Sequence, residues 1–274
     1  MKYKIVDDGI IAYKDDFFNP FDTVKCGQVF RYSIKDGVIT IFSKNYRCII
    51  KEFDSYYYIY TNVPKYFANY LDFDQNYGII YTKLIDKGLI KQCADYSKGI
   101  HILNQNPIEM IISFIISANN NIPRIQKIIN NICRELGENM GDYYAFPTVE
   151  ALASKDVEFY QKMGAGYRAS YLVDTANKLL QTDIDKLSLL ATDDLLQELL
   201  KFKGVGPKVA DCIALFGFHR GEVCPIETWM KIVYLEYFGN ETNPKIIRQD
   251  LTNRFSNLSG YMQQYLFYYK RELD

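Results

Sequence analysis

The stretch Leu199–Tyr237, LLKFKGVGPKVADCIALFGFHRGEVCPIETWMKIVYLEY, constrains the fold more than any other. It reads as helix, tight glycine turn, helix, short loop, helix. The first helix is expected to start near Thr192 as N-cap, with Asp193 and Asp194 in its first turn. Gly204 and Gly206 break it. Pro207 then opens a second helix at the one position where no N–H is needed. That helix runs to about Phe218, with Val209, Cys212, Ile213 and Phe216 on one face. The glycines strip side chains from a loop that ends at a helix N-terminus. Bare N–H groups and the positive end of the dipole then face outward, which suits a phosphate. Over residues 201–220, Lys201, Lys203, Lys208 and Arg220 stand against Asp211 alone, while the whole chain has a net charge of −1. An ordinary helix–turn–helix linker would carry the same GxG, so the turn alone does not decide.

Lys208 stands on the first turn of an otherwise apolar helix, at the wrong end of the dipole for a cation. Partial burial there would lower its pKa further and free the amine as a nucleophile. Two residues after Pro225 comes a carboxylate, Glu227, beside Trp229, the only tryptophan. An amine and a carboxylate at one pocket mouth suit chemistry through a cationic intermediate. A phosphate-binding lysine and a surface glutamate in a first helical turn fit the same residues.

With 274 residues the chain can build two domains with proper cores. Hydrophobic content of 48% and charged content of 24% are those of a globular protein, and no apolar run reaches a membrane span. The N-terminus, MKYKIVDDGIIAYKDD, carries acids where a signal peptide needs an apolar core. The expected location is therefore the cytoplasm, and a composition rich in Ile, Lys, Asn and Tyr points to an AT-rich bacterium. Six cysteines, at 26, 48, 93, 133, 212 and 224, form no CxxC. Neither zinc nor any other metal or cofactor is expected, and a reducing compartment is.

Residues 1 to about 62 read as β-rich. Asp36-Gly37 is a hairpin turn between FRYSIK and VITIFS. RCIIKEF and YYYIYT follow, joined at Asp54-Ser55, with high β-branched and aromatic content. From Asn106 nearly everything reads as helix. The expected fold class is α+β: a small N-terminal antiparallel β domain, residues 1–98, then an all-helical domain, residues 99–274, with its hairpin at 199–210 and the site in the cleft between them.

Leu199–Tyr237 resembles the helix–hairpin–helix–Gly/Pro–Asp signature of base-excision DNA glycosylases. GQVFRY, NPIEMIISFIISANNNIPRI, MGAGYRASY, GVGPKVADCI and QQYLF are similar, in that order, to 8-oxoguanine DNA glycosylases, and span about Lys25 to Phe267. The resemblance implies duplex DNA containing oxidised guanine as partner, a monomer associated with the nucleoid, and Lys208 and Glu227 as catalytic pair. It implies DNA contacts from the hairpin residues Gly204, Gly206 and Val209. Some relatives carry an iron–sulfur cluster on closely spaced C-terminal cysteines; with no cysteine after Cys224, none is expected here.

The other roles are likewise implied by the resemblance. The Gly27 carbonyl would detect the lesion, because oxidised guanine carries a proton on N7 where guanine has a lone pair. An acceptor placed there bonds one and repels the other, a difference of roughly 1–3 kcal/mol. Phe267 would stack on one face of the extruded base, with Cys212 on the other, Gln263 on its Watson–Crick edge and Phe216 among the base-binding residues. Asn119 would fill the hole in the duplex, Arg124 and Arg168 would read the widowed cytosine, and Tyr167 would be the wedge. Two positions depart from the family pattern. Glu227 stands where the motif has aspartate, and Trp229 where the animal enzymes have a histidine near a phosphate. The first keeps a catalytically impaired damage-binding protein open as an alternative, beside a monofunctional alkylbase glycosylase of the same fold.

Overall fold

The computed structural model describes residues 1–273. Strands β1 (Tyr3–Val6), β2 (Gly9–Tyr13), β3 (Tyr32–Lys35), β4 (Val38–Ser43), β5 (Tyr46–Glu52) and β6 (Tyr56–Tyr60) form one antiparallel sheet in the order β1-β2-β6-β5-β4-β3. The turns at Asp36-Gly37 and residues 53–55 fall where the sequence puts them. The first hairpin, β1–β2, was not legible: YKIV is flanked by acids and lysines, and its strand identity comes from pairing onto β6 through β2. Ile10, Ile59, Ile50 and Ile39 are cross-strand neighbours in one row. Each is 2% exposed or less. That row packs on helices α1 (Pro20–Lys25) and α2 (Pro64–Tyr70) through Val24, Phe67 and Tyr70.

Helices α3 (Tyr77–Asp86) and α4 (Lys91–Ser97) lead into the helical part. There follow α5 (Pro107–Ser117), α6 (Ile122–Leu136), α7 (Val149–Ala153), α8 (Val157–Lys162), α9 (Ala169–Leu179) and α10 (Ile184–Leu189). The chain continues through α11 (Thr192–Leu200), α12 (Pro207–Gly217), α13 (Thr228–Tyr237), α14 (Pro244–Phe255) and α15 (Ser259–Leu273). Asp183 starts α10 by accepting from the Lys186 N–H at 3.1 Å. One expectation needs correction: Thr192 is not the N-cap of α11. The short link from Leu190 leaves Ala191 extended at the cap, and the Thr192 hydroxyl instead donates to Glu222.

The loop after α1 crosses between the two cores. Cys26 and Phe30 are buried with the helical core and Val29 with the sheet core. Beside it, Arg31 ties the halves together. Its guanidinium reaches the Glu109 carboxylate on α5 at 3.4 Å, and it donates to the carbonyl of Tyr144 at 2.8 Å. Both side chains of this ion pair are buried, so removing one strands the other. Glu109→Ala is expected to cost about 3–5 kcal/mol, read as a lowered urea midpoint at constant slope.

Candidate active site

The hairpin places Lys208. Gly204 has φ +85°, and a Cβ there would lie 2.4 Å from the Tyr171 ring, so both the backbone and the close approach require glycine. Gly206 is the N-cap of α12, and no side chain caps this end, which leaves the first N–H groups facing outward. Val209 is buried and anchors the turn to the core. The basic surface differs in detail from the sequence reading. Arg220 sits at the far end of α12, donating to the carbonyls of Ser188 and Leu190. Lys201 pairs with Glu198. Lys203 stays beside the turn, over the Tyr171 ring, and Lys178 from α9 joins it, donating to the Lys201 carbonyl at 3.0 Å. Lys178 was invisible in sequence because its closeness is purely tertiary.

Lys208 is exposed, and its amine is hydrogen-bonded to the Cys212 side chain, one turn along α12. Its pKa is raised, first by the Cys212 sulfur and then by Glu227, which together outweigh the loss of water around the amine. This reverses the expected depression: the helix end disfavours the cation, but two neighbouring groups hold the proton. Burial in turn pushes up the Cys212 thiol.

Glu227 is the N-cap of α13. Its Oε1 accepts from the Met230 N–H at 3.2 Å, which fixes the carboxylate at the helix end. Burial raises its pKa, opposed by the Trp229 and Met230 N–H groups, Lys208 and Arg271. Trp229 therefore acts on the site at least through its backbone.

A second group of the expected residues comes from the loop after α1 and from α15. Gly27, just after α1, has φ +88°, and a Cβ on it would lie 3.3 Å from the Phe267 ring and 3.2 Å from Arg271 Nη1. Helix α15 clamps this loop. Gln264 Nε2 and Arg271 Nη2 donate to the carbonyls of Cys26 and Lys25, each at 2.7 Å, and the Tyr268 hydroxyl donates to Asp22 at 2.8 Å. Phe267 is half-buried, while Gln263 is buried with its Oε1 unpartnered. Phe216 lies deeper. Its ring stacks on Phe114, centroids 5.6 Å apart, within the core between α12 and α5. Gly27→Ala is expected to lower lesion selectivity at least tenfold while costing about 1 kcal/mol of stability, since the new methyl presses on the Phe267 slot. Competition binding and thermal melting separate the two; an equal loss on all DNA would count against a detector.

The remaining residues gather on a second surface. Of the three asparagines, Asn120 donates back to the Ile116 carbonyl and Asn121 caps α6, leaving Asn119 exposed at φ +50°. Arg168 is buried, donating to the carbonyls of Ala118, Asn119 and Ala165, so its guanidinium props this turn. Tyr167 is 56% exposed, a large aromatic facing solvent, with Arg168 under its ring at 4.4 Å. Arg124 is exposed next to them, 3.5 Å from the Gly164 carbonyl. Sequence reasoning missed Arg271, although it lies four residues beyond Phe267 on the same helix face.

An antiparallel sheet thus lies on a helical body that sets a hairpin-borne lysine near a helix-capping carboxylate. Residues 112–257 match the family described as HhH-GPD superfamily base excision DNA repair protein, and residues 10–111 match 8-oxoguanine DNA glycosylase, N-terminal domain. The chain belongs to the HhH-GPD superfamily. Its fold is also that of a Clostridium acetobutylicum 8-oxoguanine glycosylase/lyase solved with DNA, with TM-score 0.92, 35% identity, and 100% and 98% of the two chains covered. A probable N-glycosylase/DNA lyase of Methanothermobacter thermautotrophicus is 32% identical over 73% of this chain and 72% of that one. The N-glycosylase/DNA lyase of Saccharomyces cerevisiae is 38% identical over 47% of this chain and 39% of that one. The chain thus spans well under two thirds of the length of the first curated relatives it matches. Among the described residues no helix is long and apolar enough to cross a membrane.

Proposed function

We propose that the protein removes 8-oxoguanine opposite cytosine from duplex DNA and then cleaves the strand as a lyase. The observation that carries this reading is the Lys208–Cys212–Glu227 cluster at the hairpin, with Arg271, which acts on Glu227, standing between it and the Gly27–Phe267 contact. The Clostridium relative, whose complex has cytosine opposite 8-oxoguanine, supports the substrate. The hairpin N–H groups hold a phosphate, Asn119 fills the hole left by the extruded base, Tyr167 wedges the duplex, and Arg124 and Arg168 read the widowed cytosine. Arg168 also braces the turn that carries Asn119. The lesion nucleotide is extruded, because a stacked base is out of reach of the amine.

Lys208 attacks C1′ as the free amine, the bond to the base breaks, and Glu227 stabilises the positive charge that builds on the sugar. Opening of the sugar ring at C1′–O4′, with a proton passing from nitrogen to O4′, turns this adduct into a Schiff base, which acidifies the 2′ proton; its loss expels the 3′ phosphate. No step calls for a metal or an iron–sulfur cluster, and the protein works as a monomer on nucleoid DNA in a bacterial cytoplasm. Because the Lys208 pKa is raised, the attacking form is a minority at neutral pH, so single-turnover cleavage is expected to climb with pH up to the lysine pKa. A rate flat between pH 7 and 9 would show that deprotonation does not limit the reaction. The direct test of the function is borohydride trapping on a labelled duplex with one 8-oxoguanine opposite cytosine. A covalent adduct supports the reading; selective binding without an adduct would make this a damage-binding protein.

A further inference from the structure

Helix α15 presents Gln263, Phe267 and Arg271 at intervals of four residues, hence on one face. Among the described residues six buried side-chain nitrogen or oxygen atoms lack a hydrogen-bond partner, and two of them, Gln263 Oε1 and Arg271 Nη1, flank this one phenylalanine. Arg271 is not loose. Its Nη2 donates to the Lys25 carbonyl at 2.7 Å, and Glu272 Oε1 takes Nη2 at 2.9 Å and Nε at 3.3 Å. The guanidinium carbon lies 5.3 Å from the Phe267 centroid. A planar fork fixed on one side by a carbonyl and a carboxylate leaves Nη1 aimed in one direction. That direction is the Gly27 side, 3.2 Å from where a Cβ of Gly27 would stand. A buried charged donor without an acceptor is costly, so the arrangement is completed by an acceptor that arrives with the ligand.

We infer that Arg271 is a specificity-determining residue whose Nη1–H donates to the C8 carbonyl of the extruded base, beside the Gly27 carbonyl that accepts from N7–H. The inference rests on the functional reading above. Oxidation of guanine at C8 creates an amide-like edge, a donor at N7 next to an acceptor at C8. Gly27 and Arg271 offer the complementary pair, an acceptor next to a donor. Guanine has a lone pair at N7 and a C–H at C8, and so mismatches both. Two adjacent points of contact discriminate more sharply than one carbonyl alone.

The test measures binding by Lys208→Gln protein, with and without Arg271→Gln, to three duplexes holding 8-oxoguanine, guanine or a tetrahydrofuran abasic analogue opposite cytosine. Arg271→Gln is expected to lower the preference for 8-oxoguanine over the abasic analogue about ten- to hundredfold, the range for a charged hydrogen bond, and to leave the guanine-to-abasic ratio in place. Arg271→Lys, which keeps the charge but not the fork, is expected to lose the same preference. Equal weakening on all three duplexes would make Arg271 a tether of the Lys25 loop and overturn the inference. Equal weakening on 8-oxoguanine and guanine alone would put the N–H on an oxygen both bases share, and overturn it too. If the Lys208→Gln parent shows no preference for 8-oxoguanine, the functional reading itself fails. If the parent has the preference and Arg271→Gln retains it, only the role of Arg271 fails.

Discussion

Lys208→Gln is expected to leave a protein that grips a lesion-bearing duplex and never cuts it. Strand cleavage and the borohydride adduct fall by about 10⁴-fold or more, the scale seen when a covalent nucleophile is removed, while the dissociation constant for 8-oxoguanine DNA moves less than about tenfold. Glutamine suits the test because it retains length and polarity beside Cys212 without offering a nucleophilic amine. The outer helix turn is held by Val209 and the Gly204–Gly206 bend, not by the lysine, so the hairpin keeps its shape. Gel-shift binding and single-turnover cleavage on the same duplex separate the two effects. Loss of binding with cleavage would make Lys208 a phosphate contact, and an adduct surviving in the variant would assign the Schiff base to another amine.

Glu227→Ala carries the second large effect. Removing one preorganised charge-stabilising group costs about 10²–10³-fold in the chemical step. The same change removes the acceptor of the Met230 N–H, so about 1 kcal/mol of stability goes with it. Thermal melting and single-turnover rates at saturating enzyme measure the two parts independently. The carboxylate pKa is raised by burial, so activity should fall on the acid side at a pH above the ordinary carboxylate range, as Glu227 takes up a proton. Glu227→Asp addresses the departure from the family motif. The shorter side chain is the better helix cap, and the rate should hold or rise; a large loss would mean that the site is built around glutamate, since displacing a group by about 1 Å can cost 10²-fold.

The two halves of the site were legible to different degrees. Pro207 after a GxG turn fixes a helix start on chemical grounds alone, and with it the one-turn spacing of Lys208 and Cys212. The state of that lysine was not legible. Helix polarity argued for a depressed pKa, yet the sulfur on its own helix and a carboxylate nineteen residues on raise it. Arg220 read in sequence as part of the basic surface beside the hairpin, whereas the fold uses it to hold the carbonyls of Ser188 and Leu190. The β1–β2 hairpin escaped notice because short, half-exposed strands take their identity from pairing partners.

The sequence by itself determined what local physics governs: the helical periodicity, the glycine–proline turn, the Asp36-Gly37 hairpin, and the face shared by Gln263 and Phe267. Only the tertiary structure decided what depends on distance through space. It brought Gly27 against Phe267 and Arg271, across 240 and 244 positions of chain, and it set Glu227 beside Lys208. The physical reason is that backbone propensities act over a few residues, whereas charge, burial and an unpaired donor such as Arg271 Nη1 take their meaning from whatever packing places beside them.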